Sequence, residues 1–250
     1  YLNSLAGTGK TTLCYIMIIL TNCFTLATAQ GVIDRNAAEG LKPPKAERTS
    51  RRALTAQETA AVLKVIDTHP DGLLLAILFY TGLRRGEALG LRWSDIDFAA
   101  RSLRVERDID FVAGDVGTVK TETSVRTVPV PDELMILLQK HRQIGNGYII
   151  RAQRTGEFWS QSTFVRRWRL LQTALLEAAR GIENNGSGSI LTAHYFRHNY
   201  ASILYRSGVD VLTAQRYLGH TDPTTTMRIY THLAEETELK DAEKVRRAFR

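Results

Sequence analysis

The chain has 250 residues, 44% of them hydrophobic and 24% charged, with a net charge of +7, which suits one large globular domain or one domain plus part of another. Two cysteines, Cys14 and Cys23, make no disulfide framework, and both lie far in sequence from any histidine, so neither a disulfide-stapled fold nor a zinc finger is indicated; a reduced, cytosolic protein is the simplest reading. The basic surplus favours an anionic partner, nucleic acid first, although many basic proteins bind none.

The chain starts at Tyr1 rather than Met, so it reads as an excerpt. Residues 6–12, AGTGKTT, resemble a phosphate-binding loop. Gly9, Lys10 and Thr11 fit G-x-x-x-x-G-K-[ST], but the first glycine of that pattern falls on Ser4, and no strand is seen feeding the loop in the few residues before it. The apolar run LCYIMIIL with Ala27-Thr28-Ala29 after it resembles a secretion signal. It lacks a terminal Met, is interrupted by Thr21 and Asn22, and reads as too short to span a bilayer. Leu13, Ile16, Met17, Leu20, Phe24 and Ala27 recur at helical spacing, and the plain reading is a buried helix ending before Gly31.

Residues 40–52, GLKPPKAERTSRR, read as a linker. Pro43-Pro44 forbids helix. Lys42, Lys45, Arg48, Arg51 and Arg52 make it either a solvated basic loop or a strap on DNA. A new domain follows. Thr55 and Glu58 form a capping box for a helix through Ile66. The stretch 72–80, GLLLAILFY, is apolar all round and predicts a buried helix ended by Gly82. A short helix spans 84–91. Residues 102–106 and 127–130 alternate as strands, and 118–130 as a whole reads as a small antiparallel sheet. Asp132 is expected to cap the next helix. Further helices are expected over 161–179, from a Thr192 cap to Ser207, over 211–218 and over 224–232, with GSGS at 186–189 as a loop. Leu239, Ala242, Val245 and Phe249 form a stripe on a last charged helix. The fold class is therefore mainly α with one small antiparallel sheet, with no repeat or low-complexity tract.

Five features carry chemistry. TGLRRGE (81–87) puts Arg84 and Arg85 directly after a buried helix, where unpaired charge is costly. Glu87, three residues on, can hold Arg84 and leave part of its fork for an anion. HYFRH (194–198) sets His194 and Arg197 on one helical face near an N-terminus, an end that attracts phosphate. LGH (218–220) delivers His220 just past a helix end. Tyr230 lies in TTTMRIYTH, and Lys120 in the predicted hairpin. Each has a structural explanation when taken singly. His194 and His198 at i, i+4 lack the glutamate of an HExxH site, so no metal is indicated.

Together, TGLRRGEALGLRWSDID, VKTETSVRTVPVP, HYFRHNYAS and LGHTDPTTTMRIYTH resemble the tyrosine recombinases, the phage-integrase family, and in wording the integrases of phages and conjugative transposons. The resemblance covers residues 53–232. Residues 1–39 resemble the end of the family's helical core-binding domain, 40–52 the interdomain linker, and 233–250 a C-terminal helix that is exchanged with a neighbouring protomer or folds back on its own domain. It implies six catalytic positions: Arg84, Lys120, His194, Arg197, His220 and Tyr230. Tyr230 would be the nucleophile that forms a 3′-phosphotyrosyl link, His194 the proton acceptor, and Arg84 and Arg197 the phosphate clamp. His220 would add a hydrogen bond to the phosphate, and Lys120 would protonate the departing 5′ oxygen. The implied partners are double-stranded DNA at attachment or element-end sites, three further copies of the chain in a tetramer on two duplexes, and an accessory DNA-bending or excision factor, with no membrane. No cofactor, ATP or metal is implied, and the location would be cytoplasmic, at the nucleoid. A type IB topoisomerase-like strand transferase, a non-catalytic DNA-binding protein and a fragment that binds without recombining are the alternatives. A supercoil-relaxation assay separates the first of these.

Overall fold

The computed structural model describes residues 10–41, 53–111, 113–118, 125–180, 192–220, 222–231 and 233–234. Lys120, the linker cations Lys42, Lys45, Arg48, Arg51 and Arg52, the GSGS stretch, most of the glycine-lysine stretch and the stripe from Leu239 to Phe249 lie outside the described residues. The chain divides into two compact units, residues 1–51 and 52–250.

In the first unit, helix α1 runs Lys10–Ala29. It ends in a Schellman turn at Gly31, whose φ is +70°. The Gly31 amide donates to the Thr28 carbonyl and the Val32 amide to Ala27. The predicted stripe is the covered one: Leu13 and Met17 are buried, and Ile16, Leu20, Phe24 and Ala27 half-buried. The expectation of a buried helix is corrected, because Tyr15, Ile18, Ile19 and Leu26 on the other side are exposed. The window Thr12–Ala29, with mean hydropathy 1.7, is long and apolar enough by length and composition to cross a membrane. Its middle is tied to the following loop, since Asn36 Nδ2 donates to Thr25 Oγ1 at 2.9 Å and to the Thr21 carbonyl at 3.3 Å.

The second unit is built around α3 (Gly72–Thr81), in which Leu74 through Leu78 are fully buried. Helix α2 (Ala56–Thr68) precedes it and opens with the predicted box: Thr55 Oγ1 accepts from the Glu58 amide, and Glu58 from the Thr55 amide. Helix α4 (Arg85–Gly90) follows, then a 3₁₀ turn at Trp93–Asp95. Helices α5 (Asp132–His141), α6 (Gln161–Ala178), α7 (Ala193–Arg206) and α8 (Val211–Leu218) come next, and the segment 223–231 is helical. Phe196 of α7 sits edge-on to Phe79 of α3 and Trp168 of α6, and locks those three helices into one core. Asp132 does not cap α5. It is the first helical residue after Pro131 and pairs with Arg101 at 2.9 Å.

The strand expectation is corrected in its pairing. Five strands occur among the described residues: β1 (Ile96–Asp97), β2 (Ser102–Val105), β3 (Arg107–Asp110), β4 (Asp115–Thr118) and β5 (Arg126–Pro129). They form two sheets rather than one, ordered β1-β2-β5 and β3-β4, all antiparallel. The ends of 118–130 therefore belong to different sheets. β5 pairs with β2, placing Val128 opposite Leu103 and Arg126 opposite Val105. Those four side chains are buried, so an arginine stands in an otherwise apolar row. Pro129 is tolerated because β5 is an edge strand.

Candidate active site

The site assembles on the C-terminal turn of α8. A helix leaves its last carbonyls without intrahelical donors. Gly219, at φ +62°, supplies the left-handed residue that closes the helix. Its amide donates to Arg216, and the His220 amide to Gln215. That Schellman geometry fixes where His220 emerges. The next three carbonyls are each taken by an arginine from a different element. Arg126 Nε donates to Tyr217 at 2.8 Å, Arg197 Nη2 to Leu218, and Arg84 Nη2 to Gly219 at 2.8 Å. Three cations thus meet the negative end of the helix dipole.

One carboxylate balances them. Glu87 is 1% exposed. It accepts from the Arg84 amide and Arg84 Nη1, both at 2.8 Å, and from Arg126 Nη1 and Nη2 at 3.0 and 2.8 Å. Arg84 and Glu87, three residues apart, are thus paired. Burial alone would raise the Glu87 pKa, but the hydrogen bonds and charge of Arg126, with Arg84 and Arg197, hold it at about 2.

Arg197 is buried on α7 and donates through Nη1 to the Gly82 carbonyl at 3.1 Å. Gly82 closes α3 in the left-handed region at φ +62°, just before Arg84. One guanidinium therefore fastens the α3–α4 turn to the end of α8. Burial, and after it the charge of Arg84, lowers the Arg197 pKa to about 9, which leaves it charged at neutral pH. The Arg84 side chain retains 39% exposure, against 5% for Arg126.

His220 Nε2 accepts from Arg197 Nε at 3.3 Å, and Nδ1 lies 2.7 Å from Thr226 Oγ1. An acceptor at Nε2 puts the proton on Nδ1. In this state His220 offers no ring N–H to an anion, so the expected hydrogen bond to phosphate requires the other tautomer. Burial first, then the charges of Arg197, Arg84, His194 and Arg126, depress its pKa to about 3. Unfolded, the ring takes its proton near pH 6.5, so between there and pH 3 the unfolded chain holds the extra proton. Stability is expected to fall as pH drops below about 6.5. Thermal melts of His220→Asn should show a shallower acid slope over that window; an unchanged slope would contradict the assignment.

The structure thus brings together Arg84, Glu87, Arg197 and His220. His194 is exposed on the first turn of α7, within electrostatic reach of His220. Tyr230 is placed differently. Its hydroxyl donates to the Val209 carbonyl at 3.1 Å, and its ring stands edge-on to Tyr205 at 5.1 Å. Burial, with Asp210 second, raises its pKa to about 12. Sequence reasoning missed Arg126, Thr226 and Gln215, whose Nε2 donates to the His220 carbonyl at 3.1 Å. Arg126 left one trace: it occupies the inward register of β5, two residues before Val128.

Comparison with known proteins decides what this arrangement belongs to. The profile of the phage integrase family matches residues 52–237. The chain belongs to the phage integrase family. It is a tyrosine recombinase, a DNA strand-transferring enzyme of the kind that recombines DNA at specific sites. A tyrosine recombinase XerC-like protein of Caldanaerobacter subterraneus subsp. tengcongensis is 29% identical over 272 aligned residues, covering 100% of this chain and 70% of that protein. The ICEBs1 integrase of Bacillus subtilis is 28% identical over 240 residues, covering 92% and 64%. Among solved structures, the Tn1549 transposon integrase in complex with a circular intermediate DNA superposes with a TM-score of 0.71 at 20% identity, covering 96% of this chain and 80% of that one.

Proposed function

We propose that this recombinase integrates or excises a mobile element, cutting DNA with Tyr230 and holding the scissile phosphate with Arg84 and Arg197. The observation that carries the reading is the convergence of Arg84, Arg197 and His220 on the α8 turn, with one buried carboxylate balancing them. Guanidinium groups held by protein acceptors are preorganised for the charge of a pentavalent phosphorus.

Tyr230 Oη attacks phosphorus and the 5′ oxygen leaves, giving a 3′-phosphotyrosyl link and a free 5′ hydroxyl. His194 receives the phenolic proton and Lys120 supplies one to the departing oxygen. A 5′ hydroxyl from the partner duplex then attacks the phosphotyrosine and returns the proton to Tyr230. One phosphodiester is exchanged for another, so bond energy is conserved without ATP. The phosphate draws Arg197 Nε–H away from His220. Nε2, relieved of its role as acceptor, can then carry the proton and donate to a phosphate oxygen. Tyr230 must also leave the Val209 carbonyl before it attacks.

Residues 1–39 serve as the end of a core-binding domain, and residues 53–232 form the catalytic domain. Lys42, Lys45, Arg48, Arg51 and Arg52 contact DNA phosphates in the linker, giving affinity that falls steeply with salt. Four copies act on two duplexes inside the cell, with residues 233–250 exchanged between neighbours and an accessory DNA-bending or excision factor selecting direction. Similar proteins named as integrases, one of them of a transposon, support this reading.

The test is a nicked duplex bearing the element's end sequence, from which the cut strand cannot be religated. The covalent adduct is digested and its peptide sequenced by mass spectrometry. The nucleotide should map to Tyr230; mapping to Tyr205 or Tyr217 would refute the assignment.

A further inference from the structure

We propose that Arg126 is a positioning residue for strand transfer, holding Arg84 through Glu87 and His220 through the C-terminal turn of α8. The inference rests on the recombinase reading above.

Four observations converge. First, Arg126 points from an edge strand into the site, where its side chain is 5% exposed. Second, it spends both Nη groups on Glu87, the carboxylate that also receives the Arg84 amide and Arg84 Nη1. Arg84 and Arg126 thus share one anion, and removing Arg126 frees that anion to move or to draw Arg84 deeper. Third, its Nε takes the Tyr217 carbonyl, completing the set of three carbonyls claimed by Arg126, Arg197 and Arg84. Fourth, its guanidinium lies flat against Gly219: a Cβ there would come within 2.6 Å of Nη1 and 2.7 Å of Cζ. The residue before His220 must therefore lack a side chain for the fork to fit.

The effect of Arg126 runs through Glu87 and the turn. Lysine cannot substitute, because a single ammonium cannot reach Glu87 bidentately and the Tyr217 carbonyl together.

Arg126 also lines an open groove of about 870 Å³, shared with Thr127, Arg216, Tyr217, Gly219 and His220. Loss of the Arg126 side chain would leave room there for a small added cation, which supplies a test that mere destabilisation would not pass. Single-turnover cleavage of the nicked duplex is measured at saturating protein for the full chain and for Arg126→Ala, with DNA affinity by gel shift and fold by thermal melt. Arg126→Ala should cleave about tenfold or more slowly with DNA affinity within about twofold. Added methylguanidinium should restore part of the rate in that variant and none in the parent. Arg126→Lys is the second variant, should alanine fail to fold; it should be slowed too, despite its charge.

An Arg126→Lys rate equal to the parent's would overturn the proposal. So would an Arg126→Ala loss that tracks binding and melting temperature and is untouched by methylguanidinium. Parent protein that forms no covalent product, or a Tyr230→Phe variant that still forms it, would sink the recombinase reading and this inference with it. Normal parental cleavage with unaffected Arg126 variants sinks only the positioning role.

Discussion

Tyr230→Phe should bind DNA as the parent does and form no covalent complex with it. The substitution deletes one oxygen. If that oxygen is the nucleophile, cleavage falls by about 10⁴-fold or more, because no neighbouring group replaces a lost nucleophile. Phosphate contacts supply most of the affinity, so the gel-shift midpoint should move by less than about twofold. The fold should lose little: the hydroxyl donates to the Val209 carbonyl, and such a bond contributes about 1 kcal/mol net. The edge-on contact with Tyr205 survives in phenylalanine. A trapped adduct in the variant would move the nucleophile elsewhere.

The same observation bears on when the enzyme can cut. A phenol pushed up to about 12 is ionised in only about one molecule in 10⁵ at pH 7. Donating to a carbonyl keeps the proton in place. To act as the proposed nucleophile, Tyr230 must leave Val209 for the positive field of Arg84 and Arg197. His220 has the complementary problem, since in this state its Nε2 is an acceptor for Arg197. On the proposed mechanism, bound phosphate would relieve both, taking the arginine N–H groups and giving the tyrosine a target.

The features legible in sequence were those set within one turn of chain. The Thr55–Glu58 box, the glycine stops at Gly82 and Gly219 and the Thr192 cap all depend on residues three or four apart. So does the Arg84–Glu87 pair. The stripe of α1 was readable for the same reason, but its exposed opposite side was not, since periodicity shows which face packs and not whether the other does. Long-range partners were illegible. Glu87 meets Arg126 across 39 residues, Arg197 meets Gly82 across 115, and Arg84 meets Gly219 across 135. Strand pairing failed likewise: alternation marks a strand but cannot say that β4 pairs with β3 and β5 with β2. The six positions proposed as catalytic came from resemblance; the physics of the turn that gathers three of them came from the structure.

Glu87→Gln should cost the fold more than any surface change, and with a pH dependence that identifies the cause. The carboxylate is almost fully buried and receives four donors from Arg84 and Arg126. Glutamine keeps the shape but removes the one negative charge among three arginines. Breaking a buried ion pair by removing one partner costs about 3–5 kcal/mol, on the order of 10 °C in melting temperature for a unit of this size. The folded pKa of about 2 lies below the ordinary glutamate value of 4.5. The charge therefore contributes stability that is fully present above about pH 4.5 and is lost as pH falls toward 2. A depression of that size corresponds to about 3 kcal/mol, in line with the ion-pair figure. Melts of parent and variant should be far apart at pH 7 and converge near pH 2. A gap that stayed constant across that range would mean the variant is destabilised by packing, and that Glu87 is not the counter-charge of the site.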